Sequence, residues 1–145
     1  FILSILKKKK FPIHGDGKSK RNFIFSDDFC RGIYKIIIMG ATGKTYHFSG
    51  NKLYSVNEIL KKITNLMNKN FKNTTKTISD RKGKDAIYNI SSKVTKKELN
   101  WICKTNIDLG ISKMIDFTKK NYNEIKNLPM EYNKLWKTFY QNNIN

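Results

Sequence analysis

Residues 11–34, FPIHGDGKSKRNFIFSDDFCRGIY, constrain the fold more than any other stretch of the chain. They set a short apolar segment, a Gly-Asp-Gly turn, a cluster of cations, a second apolar segment and a helix start in one unbroken order. Ser26 stands where an N-cap belongs, and Asp27 and Asp28 fall in the first turn, where exposed backbone N–H groups favour negative charge. Phe29, Ile33, Ile36 and Ile37 then recur at helical spacing, which predicts one buried face.

Three further helices are legible. Ser55-x-x-Glu58 is a capping box, and Val56, Ile59, Leu60, Ile63, Leu66 and Met67 form a stripe behind it. A helix from about Asp108 into the 120s carries Ile111, Met114, Ile115 and Thr118 in register. A shorter one over residues 92–99 stops at Asn100, one of the few non-glycine residues that accepts a left-handed cap. The apolar residues 1–6 read as a helix end, with Lys7 to Lys10 at its carboxyl terminus. Strands are expected over residues 11–14, 22–25, 44–48 and 74–79. Strands alternating with helices indicate an α/β fold. A complete βαβαβ half is missing, so the sheet is expected to belong partly to sequence outside this chain.

At 145 residues and 39% hydrophobic content the chain suits one domain or part of a larger one. It does not begin with Met, so it is expected to open within a longer protein or to have been trimmed. Residues 1–6 are too few to span a membrane, and the lysines follow them where a signal peptide would put its charges first. The net charge of +18 invites a nucleic-acid or membrane reading. Against it, Arg21, Arg31 and Arg81 are the only arginines among 29 basic residues, and no RNA-binding or zinc-finger pattern is present. The lysines are therefore read as solvated surface, and neither nucleic acid nor membrane is expected as a partner. Cys30 and Cys103 lack metal or redox spacing and read as buried free thiols in a reducing, cytoplasmic setting.

Several tempting motifs have duller explanations. Gly40-Ala-Thr-Gly-Lys-Thr45 lacks the first glycine of a P-loop and follows a helix, so Gly40 reads as a helix stop. His14 and His47 have no partner at metal spacing. Asp27 and Asp28 point in different directions on a helix, and dipole complementation accounts for both. Gly15-Asp16-Gly17 is no dinucleotide fingerprint, because no helix opens behind it. It does turn the chain so that Arg21 starts a strand, where a guanidinium could grip phosphate oxygens, or simply decorate a basic surface. Asp80-Arg81-Lys82-Gly83-Lys84-Asp85 suits a diphosphate clamp and equally an exposed loop.

Taken together, the run GDGxxxRxFxxxDD and the run Asp80, Arg81, Gly83, Asp85, Tyr88 and Lys93 resemble the extended short-chain dehydrogenase/reductases. Among these, the NAD-dependent epimerase/dehydratases that act on nucleotide sugars, and the dTDP-glucose 4,6-dehydratase type in particular, carry such an Asp-Arg-x-Gly-x-Asp motif. Residues 45–50 (TYHFSG) are similar to the family's strand before its capped helix, Leu99-Asn100-Trp101 to its Leu-Gly-Trp, and residues 128–132 to a tail found in some members.

The resemblance implies a carboxyl-terminal substrate-binding lobe over residues 1–145, with the last strand and helix of a Rossmann-type sheet and the cofactor half missing. It assigns the substrate diphosphate to Arg21 and Arg81, with Asp80, Gly83, Lys84 and Asp85 completing the second motif, and the nucleotide base to His14. Lys84 replaces the family's usual His and Asn22 its usual Asp. Ser55 stands where Asn is common. The implied enzyme uses NAD to convert a nucleoside-diphosphate glucose to its 4-keto-6-deoxy product, as a homodimer. Its Tyr-x-x-x-Lys pair would lie upstream, so this chain by itself is expected to be inactive. Tyr122 and Lys126 have that spacing but lie on the wrong side of the substrate motifs, and read as an exposed helix face. The rival readings are a 4-epimerase of the same family and a basic nucleic-acid-binding module.

Overall fold

The computed structural model describes residues 1–80 and 83–128, in which short strands and helices alternate. The order is α1 (Ile2–Leu6), β1 (Phe11–His14), β2 (Lys20–Asn22), α2 (Ser26–Met39), β3 (Leu53–Ser55) and α3 (Val56–Leu66). Then come α4 (Phe71–Thr74), β4 (Thr75–Ile78), β5 (Ile87–Tyr88), α5 (Lys93–Leu99), α6 (Ile107–Lys120) and α7 (Tyr122–Ile125). Two small sheets result. β1 and β4 pair in parallel from Phe11↔Thr75 to His14↔Ile78. In the other sheet β2 is central, antiparallel to β3 and parallel to β5. The α/β class expected from the sequence is the one observed.

Two apolar clusters hold these layers. In the first, Ile2 and Ile5 of α1, Ile63 of α3, and Ile111 and Ile115 of α6 are buried together. Each such side chain contributes roughly 1.5–3 kcal/mol by leaving water. The capping box sets where α3 begins: Ser55 accepts from the Glu58 N–H while Glu58 accepts from the Ser55 N–H. Asn106 caps α6 in the same manner, accepting from the Leu109 N–H at 2.8 Å. The second cluster is Leu99, Trp101 and Cys103, with Ile24, Ile36, Tyr46 and Phe48 packed on it. Asn100 ends α5 at φ +44°, as the sequence suggested, and turns the chain so that Trp101 points inward.

The structure departs from the sequence expectations in instructive places. The strand expected at residues 22–25 sits at Lys20–Asn22, because Phe25 already caps α2; Ser26 is helical and makes no capping bond. Residues 44–48 form no ladder, and among the described residues no strand pairs with them. The face of α2 is inverted: Asp28 and Gly32 are buried, whereas Phe29, Ile33 and Ile37 are exposed and only Ile36 joins the core. Gly32 decides this, because a side chain there would run into the Phe48 ring. Cys30, expected to be buried, is exposed on the same helix, while Cys103 is buried. Gly40 does close α2, its N–H donating to the Ile36 carbonyl at 2.8 Å. Tyr122 and Lys126 are half-buried rather than exposed, and the Lys126 carbonyl accepts from Lys7 Nζ near α1. The resemblance noted for residues 128–132 falls, beyond Leu128, outside the described residues.

Candidate nucleotide-binding site

The two sequence runs meet in space. β1 ends at His14, and the next N–H, of Gly15, donates to the carbonyl of Ile78 at the end of β4 at 3.0 Å. The chain then reverses through Gly15 and Gly17, both with φ near +66°. A methyl group on Gly15 would strike the Asp80 carboxylate, so the second run lies directly on the turn made by the first. Asn57 braces the turn from the other side, its Nδ2 donating to the Asp16 carbonyl and its N–H to the Gly17 carbonyl.

Arg21 leaves this turn on β2, beside Tyr88 of β5. Its Nη2 donates to the Asp85 carbonyl at 2.9 Å, its Nη1 to the Lys20 carbonyl at 2.7 Å, and its guanidinium lies 5.9 Å from the centre of the Tyr88 ring. A guanidinium has five N–H donors in a planar fork, more than these two carbonyls take up. Lys84 forms an ion pair with Asp80 at 2.7 Å and reaches the His14 carbonyl at 3.4 Å. Gly83 has φ +73° and open space where a Cβ would stand, so its need for glycine is conformational and no backbone crowds it. His14 is half-buried, and among the described residues its Nδ1 is buried with no hydrogen-bond partner.

Six of the seven residues singled out from the sequence are thus described: His14, Arg21, Asp80, Gly83, Lys84 and Asp85. All but Gly83 are tied by contacts to the Gly15 turn or to β2. Arg81 lies outside the described residues. Two neighbours are committed elsewhere. Asn22 bridges segments, donating to the Gly50 carbonyl and accepting from the Ile90 N–H. The Ser55 hydroxyl belongs to the capping box. A cavity of about 480 Å³ opens beside Asn22, lined also by Ser49, Ser92, Trp101 and Lys93, the last matched residue of the second run. Neither Arg21 nor Lys84 lines it.

Sequence reasoning missed two positions. Tyr88 was noted only as a motif residue, and its place beneath Arg21 depends on a two-residue parallel pairing with no local signal. Asp28 was read as a dipole partner, yet it organises the second cluster. Its fully buried carboxylate accepts from the N–H groups of Lys104 and Thr105 and from the Cys103 thiol, and pairs with Arg31. Its backbone carbonyl accepts from the Trp101 indole at 2.8 Å. Burial pushes the Asp28 carboxyl up, but these hydrogen bonds outweigh it and hold the group at about 2. Burial, then the hydrogen bond to Asp28 and its charge, pushes the Cys103 thiol up to about 11. Its partners lie some 75 residues away, so no local pattern could have revealed them.

No protein-family model matches the chain. It is 26% identical over 130 residues to the dTDP-glucose 4,6-dehydratase of Escherichia coli, covering 83% of this chain and 36% of that protein. The crystal structure of dTDP-glucose 4,6-dehydratase from Bacillus anthracis in complex with NAD superposes with a TM-score of 0.78 at 27% identity, over 84% of this chain and 38% of that one. The fold is shared as well with a UDP-glucuronic acid 4-epimerase from Bacillus cereus, solved with UDP-glucuronic acid and NAD. There the TM-score is 0.75 at 20% identity, over 82% of this chain and 38% of that one. The chain therefore spans well under half the length of the proteins it matches. In the joint order of its two motifs and in its α/β fold, the chain is similar to a portion of the dTDP-glucose 4,6-dehydratases, which are extended short-chain dehydrogenase/reductases.

Proposed function

We propose that this chain is the nucleotide-sugar-binding part of an NAD-dependent nucleotide-sugar 4,6-dehydratase. The observation that carries the reading is the convergence of the two runs, with Asp80 on the Gly15 turn and Arg21 held against Asp85 and Tyr88. Two carbonyls and an aromatic face restrict the guanidinium before any ligand arrives, so less conformational entropy is lost when a diphosphate is gripped. Arg81, adjoining Asp80, supplies the second cation. Asp80 neutralises Lys84 and keeps that ammonium on the turn, and the partly buried His14 ring offers a face for the base.

In the whole enzyme NAD would supply hydride exchange at the sugar. The glycine turns of this chain do not fit that cofactor: Asp80 and Asn57 fill the space at Gly15 and Gly17, and Gly40 and Gly43 lead into residues 44–48 rather than a helix. No catalytic step is therefore assigned to these residues, and their work is to bind and orient. A dimeric whole enzyme producing a nucleoside-diphosphate 4-keto-6-deoxy sugar is the corresponding proposal. A 4-epimerase is the alternative, since the same fold serves both activities among the structural neighbours. Product analysis of the assembled enzyme separates the two.

Titrating the full chain with dTDP-glucose, and separately with mixed oligonucleotides at two salt concentrations, tests the binding reading. Saturable dTDP-glucose binding that weakens in Arg21→Ala supports it. Tight oligonucleotide binding that collapses with added salt, without nucleotide-sugar binding, would replace it with the nucleic-acid module.

A further inference from the structure

The cavity of about 480 Å³ beside Asn22 is distinct from the Gly15 turn, for neither Arg21 nor Lys84 lines it. Its volume falls within the roughly 300–1,000 Å³ of small-molecule sites. Its walls come from residues around Ser49, residues around Ser92 and the run from Trp101 to Cys103. Side-chain bonds tie these segments together. Asn22 donates to the Gly50 carbonyl and accepts from the Ile90 N–H. Asn51 Nδ2 donates to the Cys103 carbonyl at 3.2 Å, and the Thr95 hydroxyl to the His47 carbonyl at 2.6 Å. The recess is therefore formed before any ligand enters, which lowers the ordering cost of filling it.

Its lining carries charge of one sign. Lys93 and Lys96 both line the cavity, and among the described residues no carboxylate does. Lys44, Lys62 and Lys84 elsewhere each pair with a carboxylate. Among the described residues the Lys93 and Lys96 ammonium groups have no such partner. The Asp28 carboxylate, which accepts from the Cys103 thiol, is already taken up by Arg31 and by the N–H groups of Lys104 and Thr105.

A second observation comes from the wall itself. Ser92 Oγ accepts from the Ser49 N–H at 2.8 Å, and the two serine hydroxyls lie 2.8 Å apart. One hydroxyl hydrogen makes that contact. Whichever serine supplies it, the other keeps a hydrogen to donate. Ser49 is only 9% exposed, so the spare donor belongs to a mostly buried wall, where an unmade hydrogen bond is costly. Trp101, Ile90 and Ile102 add apolar surface to the same recess. A phosphomonoester, with about two negative charges and three acceptor oxygens, matches two unpaired cations and a hydroxyl donor.

We propose that this cavity binds a small phosphomonoester of hexose-phosphate size. Lys93, Lys96 and the Ser49–Ser92 pair hold the phosphate, and the organic part lies against Trp101. The site is separate from the diphosphate site of Arg21 and does not depend on it.

The experiment is calorimetric titration of the full chain with glucose 1-phosphate in phosphate-free buffer, with glucose as the uncharged control. Saturable binding of glucose 1-phosphate, and none of glucose, is expected. Affinity should fall at least about tenfold in the double variant Lys93→Met, Lys96→Met. Lys119→Met, Lys120→Met removes the same charge from α6 and should leave affinity unchanged, as should Arg21→Ala. Inorganic phosphate should compete more weakly; equal affinity would refute the contact with Trp101. Absence of saturable binding would overturn the proposal. So would equal losses in the two lysine pairs, which would mean general attraction to a basic surface. Loss in Arg21→Ala with full affinity in the Lys93, Lys96 variant would also overturn it, assigning the ligand to the diphosphate site.

Discussion

Arg21 Nη2 donates to the backbone carbonyl of Asp85 at 2.9 Å, joining two residues 64 apart in sequence. This contact brings the two sequence motifs together in the fold. A carbonyl is a fixed acceptor that neither titrates nor rotates away, so it aims the guanidinium without competing as a carboxylate would. Lys20 N–H to the Ala86 carbonyl at 2.8 Å repeats the connection along the backbone.

The Gly15 turn should tolerate no side chain. Gly15→Ala would hold alanine at φ +66° and push the Asp80 carboxylate off the turn. The left-handed conformation alone costs about 1–2 kcal/mol for an L-residue. Gly43→Ala is the control, with φ +77° but open space at the Cβ position. Urea midpoints should fall for both, and dTDP-glucose affinity for Gly15→Ala only.

Asp28 should make folding acid-sensitive. Its folded value of about 2 lies below the ordinary 3.8, so its contribution is full above the ordinary value and is lost as pH falls toward about 2. Asp28→Ala strands the Lys104 and Thr105 N–H groups and should cost about 3 kcal/mol. Urea denaturation of both proteins across acid pH should show the gap narrowing as pH drops. A gap that stays constant would mean that packing, not charge, is what Asp28 provides.

Much of this architecture was legible where its cause is local. The Ser55 and Glu58 capping box, the Asn100 left-handed stop, the strand at residues 11–14 and the Gly40 helix end each depend on a few adjacent residues. What could not be read depends on partners far along the chain. Periodicity shows that α2 has an apolar side but not which of its residues meet the core. Residues 44–48 have strand character, yet among the described residues no strand pairs with them. In the candidate site, the turn at Gly15 and the place of Arg21 at the start of a strand were legible from chain order. Tyr88 beneath Arg21 and Asp28 beneath Trp101 were not, since each needs a long-range contact to acquire its role.

Ser55→Ala should lower stability by about 1 kcal/mol by removing one side of the capping box. Ser55 also pairs with Lys20, but through the backbone, which the substitution leaves intact. Thermal melting should therefore shift by a few degrees while dTDP-glucose affinity holds. A large loss of affinity would show that the hydroxyl reaches the ligand.

The two thiols should behave differently in the native protein. Cys30 is exposed and should react with a chromogenic disulfide reagent. Cys103 is buried, donates to Asp28 and is pushed up to about 11, so little thiolate is present at neutral pH. One thiol should titrate quickly before denaturation and two after it.

The most direct test of the central claim is a double-mutant cycle on dTDP-glucose affinity with Arg21→Ala, Arg81→Ala and the pair. Loss of one charge-assisted phosphate contact should weaken binding by roughly tenfold to a hundredfold, corresponding to about 1.5–3 kcal/mol. If both guanidinium groups hold one diphosphate, the two effects should be strongly coupled in the double variant. Unchanged affinity in both single variants would contradict the account.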